Sequence, residues 1–118
     1  MRKELENRLV NLSVNIEKLC NVLMEGYMAE HLSKQIIRSS TSAALNYGEA
    51  QAAESRSDFI HKISIVLKEL RETQISLNLL SGSVNSNQKE KMLACQKECD
   101  ELIAIFHKTV MTAKSNAR

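Results

Sequence analysis

The sequence predicts an all-α fold, an antiparallel up-down-up-down four-helix bundle. Three observations carry that expectation. Proline is absent and glycine occurs only three times in 118 residues, so little interrupts a helix. No run shows the apolar–polar alternation of a half-buried strand. Segments of about 25 residues repeat apolar side chains at spacings of three and four, joined by short polar stretches.

The first helix is expected over residues 2–25. Leu5, Leu9, Leu12, Ile16, Leu19 and Leu23 alternate steps of four and three, the seam of a bundle. Gly26 follows where a helix C-terminus favours a left-handed residue. The second helix is expected over 29–53, with Leu32, Ile36, Ser39 or Ser40, Ala43, Tyr47 and Ala50 as its seam. "ESRS" breaks the pattern, with Ser55 or Ser57 as N-cap and Asp58 in the first turn, where a negative charge suits the helix dipole. The third helix, over 57–80, carries Phe59, Ile63, Val66, Leu70 and Leu77. "SGSVNS" is the clearest loop, and Gly82 is placed to close the third helix. The fourth helix, over 87–113, opens on a capping box of Asn87 and Glu90 and turns Met92, Cys99, Ile103, Phe106 and Val110 inward. Helices of this length span about 35–40 Å, and 118 residues make one domain with its own core.

Composition narrows the function. Sixteen basic and 14 acidic residues leave a net charge of +2, too balanced to demand nucleic acid. No stretch approaches 18 consecutive apolar residues, so no membrane span is expected. Met-Arg-Lys at the start runs into Glu-Leu-Glu, without the apolar centre of a signal peptide. The three cysteines fall inside helical patterns, which argues against a disulfide framework and for a reducing, cytoplasmic setting.

The third helix has apolar residues that its core seam cannot use. At ~100° per residue, Ile65, Ile75 and Leu79 fall nearly opposite the seam, interleaved with His61, Lys68 and Glu72. Single exposed apolar residues mean little, but three in a line resemble a contact surface. A helix sunk deeper into its own bundle would bury them equally well. Val10, Val14 and Met24 lie outside the first helix's seam too. A homo-oligomer is therefore expected, with Ile65, Ile75, Leu79, Lys68 and Glu72 at the interface.

"SAALNYGEAQ" presents small residues where large ones would fill a core. Ser39, Ser40, Ala43, Ala44 and Ala50 would let a neighbouring helix approach closely. Gln35, Arg38, Ser42, Asn46 and Glu49 form a polar stripe beside them. Such a stripe is usually a solvated flank. Half-buried, its charged members need partners, and Lys68, Glu69 and Glu72 are available, within one chain or across two.

"QIIRSSTSAALNYGEAQAAESRSDFIHKISIVLKELRETQ" resembles the four-helix bundle family encoded within intervening sequences of bacterial large-subunit ribosomal RNA genes and historically classed as a ribosomal protein family. The resemblance rests on Gln35, Arg38, Ser42, Asn46, Tyr47, Glu49 and Ala50, and continues through Ser57, Asp58, Phe59, Lys62, Leu67, Lys68, Glu69, Glu72 and Thr73. It implies a bundle assembling into a ring, commonly a pentamer, with no established enzymatic activity. A related branch includes the accessory protein of diversity-generating retroelements, which pairs with a reverse transcriptase and nucleic acid. Gly48 stands where members often carry a larger polar residue, commonly arginine, and Ile75 and Ser76 where many have an aromatic pair.

Catalytic chemistry finds little support. Di-iron bundles need two Glu-x-x-His motifs; the nearest match is one Asp58-x-x-His61. Cys95 and Cys99, with Cys20 or His107, could hold a soft metal, but burial as small hydrophobes is far commoner. His61 lacks the small neighbours of a phosphotransfer histidine, and His31 and His107 read as polar-face residues. No phosphate-cradling glycine loop or nucleophile set is present. The expectations are thus no catalytic residues, metal, cofactor or small-molecule substrate.

Two functional classes remain. One is a non-catalytic oligomeric scaffold. The other is a nucleic-acid or ribonucleoprotein accessory module, contacting phosphates through Lys108, Lys114 and Arg118. The plainer reading of those charges is that they keep the surface hydrated.

Overall fold

The computed structural model describes residues 2–23 and 26–116. Its helices are α1 (Arg2–Val22), α2 (Tyr27–Gln51), α3 (Arg56–Leu80) and α4 (Lys89–Asn116), with a 3-10 turn at Ser81–Ser83. The described residues contain no strand, and the molecule measures 48 × 21 × 21 Å. The expected all-α bundle is what forms.

Side-chain pairs give the helix directions. Arg38 and Glu49 of α2 bond to Glu69 and Lys62 of α3, so rising numbers on one helix meet falling numbers on the other. Gln74 and Asn78 of α3 meet Asp100 and Gln96 of α4 in the same sense. Arg8 bonds to Glu98 while the Val22 carbonyl receives Gln88, which makes α1 and α4 antiparallel. Each helix packs on two neighbours: α1 and α3 both touch α2 and α4, and so face each other across the bundle diagonal.

The core follows the seams read from the sequence. Leu9, Leu12, Ile16 and Leu19 of α1 are buried, with Leu5 and Leu23 packed at the margin. On α2 both Ser39 and Ser40 are buried beside Ile36, Ala43, Tyr47 and Ala50. Ile63, Val66, Leu70, Leu77 and Leu80 of α3 meet Met92, Cys95, Cys99, Leu102 and Phe106 of α4. Tyr47 and Phe106 stack edge to face, with centroids 5.3 Å apart and planes at 75°.

The helix ends correct three local expectations. Ser55 does cap α3, its Oγ accepting from the Asp58 N–H at 3.0 Å. The capping box before α4, however, lies at Asn85 and Gln88 rather than Asn87 and Glu90. Asn85 Oδ1 accepts from the Gln88 N–H and Gln88 Oε1 accepts from the Asn85 N–H, each at 3.2 Å. The N-x-x-[EQ] spacing fits both positions, and the earlier one wins because Gln88 Nε2 also reaches the Val22 carbonyl of α1. Gly26 is the N-cap of α2, with φ 158° and ψ 162°, rather than a cap on α1. Gly82 sits inside the 3-10 turn, and α3 ends on Ser81 with right-handed helical angles. The expected end of the first helix at residue 25 and the stripe member Met24 lie outside the described residues, as does Arg118.

Candidate functional site

The polar stripe of α2 lies along the α2–α3 seam, where small residues bring the helices together. Ser39 and Thr73, both buried, share a hydrogen bond of 2.7 Å, and Thr73 also donates to the Glu69 carbonyl at 2.8 Å. Beside them Arg38 spans one turn of α3, bonding to Glu69 at 3.0 Å and to Glu72. Glu69 is the more desolvated of those carboxylates, so its pairing matters more. Further along, Lys62 donates to Glu49 at 2.8 Å, and hydrogen bonding to that carboxylate pushes the Lys62 ammonium above its ordinary range. Asn46 turns back to Ser42, donating to its carbonyl at 2.9 Å and its hydroxyl at 3.1 Å. Gln35 is exposed. Arg38 and Glu49 are thus paired within the chain.

The outer face of α3 divides in two. Ile65 is half-buried, tucked toward α2. Ile75 and Leu79 stand out at 59% and 47% exposure. Lys68 is exposed, and Glu72 is already held by Arg38. The alternative of a helix sunk into its own bundle therefore holds in part for Ile65 and fails for Ile75 and Leu79.

Lys108 and Lys114 are exposed on the last turns of α4. Those turns run past the start of α1: Arg8 pairs with Glu98 and Glu101, which sets Arg2 about level with Ile105. Beyond that point the α1 side of α4 is uncovered. An open groove of about 860 Å³ results, floored by Phe59, Ile105 and Ala113. Arg56 and Lys108 are the charged residues of its described lining, which includes no carboxylate. Arg56 was missed in the sequence because nothing local links it to Lys108; the link is the overhang of α4.

The thiols are quiet. Burial pushes Cys95 up to about 11 and Cys99 up to about 12, and Cys99 donates to the Leu70 carbonyl at 3.4 Å. Such groups are poor nucleophiles at neutral pH. Among the described residues no three His, Cys, Asp or Glu side chains form a group that could hold a metal ion, and no helix is long and apolar enough to cross a membrane. His107 lies 3.5 Å from Arg71, while His31 and His61 are exposed on helix surfaces.

Comparison with known proteins bears on the fold and the family. No curated protein matches the chain. Among solved structures, a protein of unknown function from the S23 ribosomal protein family of Bacteroides thetaiotaomicron is similar over 90% of this chain and 97% of its own. The identity is 32% and the TM-score 0.74. The family model described as 23S rRNA-intervening sequence protein matches residues 4–108, which takes in part or all of every helix. With the family model over most of the chain and the solved relative in agreement, the chain belongs to the 23S rRNA-intervening sequence protein family.

Proposed function

We propose that this protein is a non-catalytic scaffold whose working property is self-association, with the outer face of α3 as one contact. The observation that supports this reading is the exposed pair Ile75 and Leu79, four residues apart on one outward face. Exposed apolar side chains aligned on a helix gain by excluding water against another surface. Ile65 extends the apolar surface toward α2, while Lys68 and Glu72 border it. The ring-like and commonly pentameric assembly implied by the family resemblance is the proposed form. Light scattering at tens of micromolar tests it: a mass of several copies is expected, and a strict monomer would remove the reading.

A second reading rests on a separate observation, the groove whose charged lining residues are Arg56 and Lys108. With Lys114 nearby on α4, it would make the protein a nucleic-acid or ribonucleoprotein accessory module. In a ring of five copies the +2 of each chain becomes about +10. Binding would be directed at phosphates and would fall steeply with salt. Filter binding to structured RNA across a salt series decides it, and no retention at low salt ends this second reading.

A further inference from the structure

We infer that the groove at the free end of α4 seats an amphipathic helix of a partner protein, one whose inner face is apolar in the middle and acidic at both ends. The site holds for a monomer as for an oligomer. Its occupant differs from the nucleic acid of the second reading.

Among the described residues, three helices reach this end of the bundle and α1 does not. The bond of Lys62 to Glu49 sets the end of α2 beside Ile60. Those of Gln74 to Asp100 and Gln96 to Asn78 set the start of α3 near the end of α4. The described part of α1 begins at Arg2, so about ten residues of α4, ~15 Å of helix, have no α1 beside them. The seam that α4 turns toward α1 does not stop there. From Glu98 it runs two turns to Ile105, then through Thr109, Thr112 and Asn116 in steps of four and three. The open space is therefore the place of α1 continued for about three turns. Phe59 of α3 lies across its floor with Ile105 and Ala113, all three half-buried. A helix laid there completes the four-helix packing found along the rest of the bundle.

The charges select the occupant. Lys108 stands at the end of the groove nearest α1, and Arg56 stands at the far end, in the first turn of α3. Neither forms an ion pair among the described residues, and the described lining holds no carboxylate. A helix with one acid at each end of its inner face meets both cations. Apolar side chains between those acids then cover Phe59 and Ile105, which phosphates would leave bare. Two cations neutralise about two phosphates, a weak hold on nucleic acid at physiological salt. Thr109, Thr112 and Ala113 are small, so the backbone of the incoming helix can come close.

Fluorescence anisotropy tests this with a capped, fluorescein-labelled, Ala- and Gln-rich peptide of about 18 residues, long enough to hold a helix. One face of the peptide reads Glu-x-x-x-Leu-x-x-Leu-x-x-x-Glu. Saturable binding is expected, weakened at least about tenfold when both Glu of the peptide are Lys. Ala113→Phe, which fills the floor, should weaken it at least about tenfold with helical circular dichroism kept. Arg56→Glu and Lys108→Glu in one chain should reverse the preference and favour the Lys peptide, which general damage to the fold would not do. No saturable binding, binding unchanged by a folded Ala113→Phe, or no reversal by the double variant overturns the proposal. Failure of the acidic peptide beside retention of structured RNA that needs Arg56 and Lys108 also overturns it, and leaves the groove to the second reading.

Discussion

The two seams flanking α2 and α4 are built on different plans. Where α2 meets α3, the buried Ser39 and Thr73 bond to each other, and ion pairs close the outer edge at both ends. Where α1 meets α4, a cleft of about 270 Å³ opens between Leu12, Asn15 and Lys18 of α1 and Ala94, Cys95 and Glu98 of α4. Arg8 bridges that seam with Glu98 at 2.6 Å and Glu101 at 3.2 Å. Small side chains permit intimacy but bury little apolar area, so the first seam depends on satisfied polar contacts. The second depends on leucine knobs and tolerates a gap.

The largest expected effect breaks the intimate seam. Ala43 is fully buried, and Ala43→Leu overfills it at a cost of about 1–3 kcal/mol. A melting temperature unchanged by that variant would show a site open to solvent. Next, Arg38→Ala strands the desolvated carboxylate of Glu69. The expected loss is about 1–2 kcal/mol, read from urea denaturation midpoints. Replacing Glu69 by Gln in the same chain should return part of it.

Alkaline pH sharpens the contrast, because Cys95 lines the open cleft and Cys99 the closed core. Both folded-state values lie above the ordinary 9.0 of a thiol, through burial. The folded chain holds these protons more tightly than the unfolded one. The resulting stability is therefore present below pH 9 and is lost as pH rises toward the folded values of about 11 and 12. Under reducing conditions each thiol should steepen the decline by up to about 1.4 kcal/mol per pH unit. Cys99→Ala should flatten the slope between pH 9 and 11, and an unchanged slope would place the alkaline transition elsewhere. The smallest effect is at the loose seam: Arg8→Ala removes a partly buried pair, but Glu98 keeps more contact with water than Glu69 does, and the loss should be about 1 kcal/mol or less. A loss equal to that of Arg38→Ala would show that the two seams are not different in kind.

Much of this was legible in the sequence. Steps of three and four along α1 name its buried leucines, because helix period and burial are the same geometry. The need of Arg38 for Glu69 or Glu72 was also readable, since small neighbours imply that a charge beside them is partly desolvated. What escaped reading depends on the distances and heights of helices relative to one another. The cleft above Cys95 and the overhang that joins Arg56 to Lys108 leave no local mark. The shifted cap had two equally good templates, and only the carbonyl of Val22 chose between them.

Gln88 has a consequence for how the molecule breathes. Its side chain locks the turn before α4 through Asn85 and fastens the same turn to the end of α1. The final turn of α1 and the first turn of α4 should therefore open as one cooperative unit in hydrogen exchange, with amide protection rising and falling together. Gln88→Ala would separate them into two independently fraying ends.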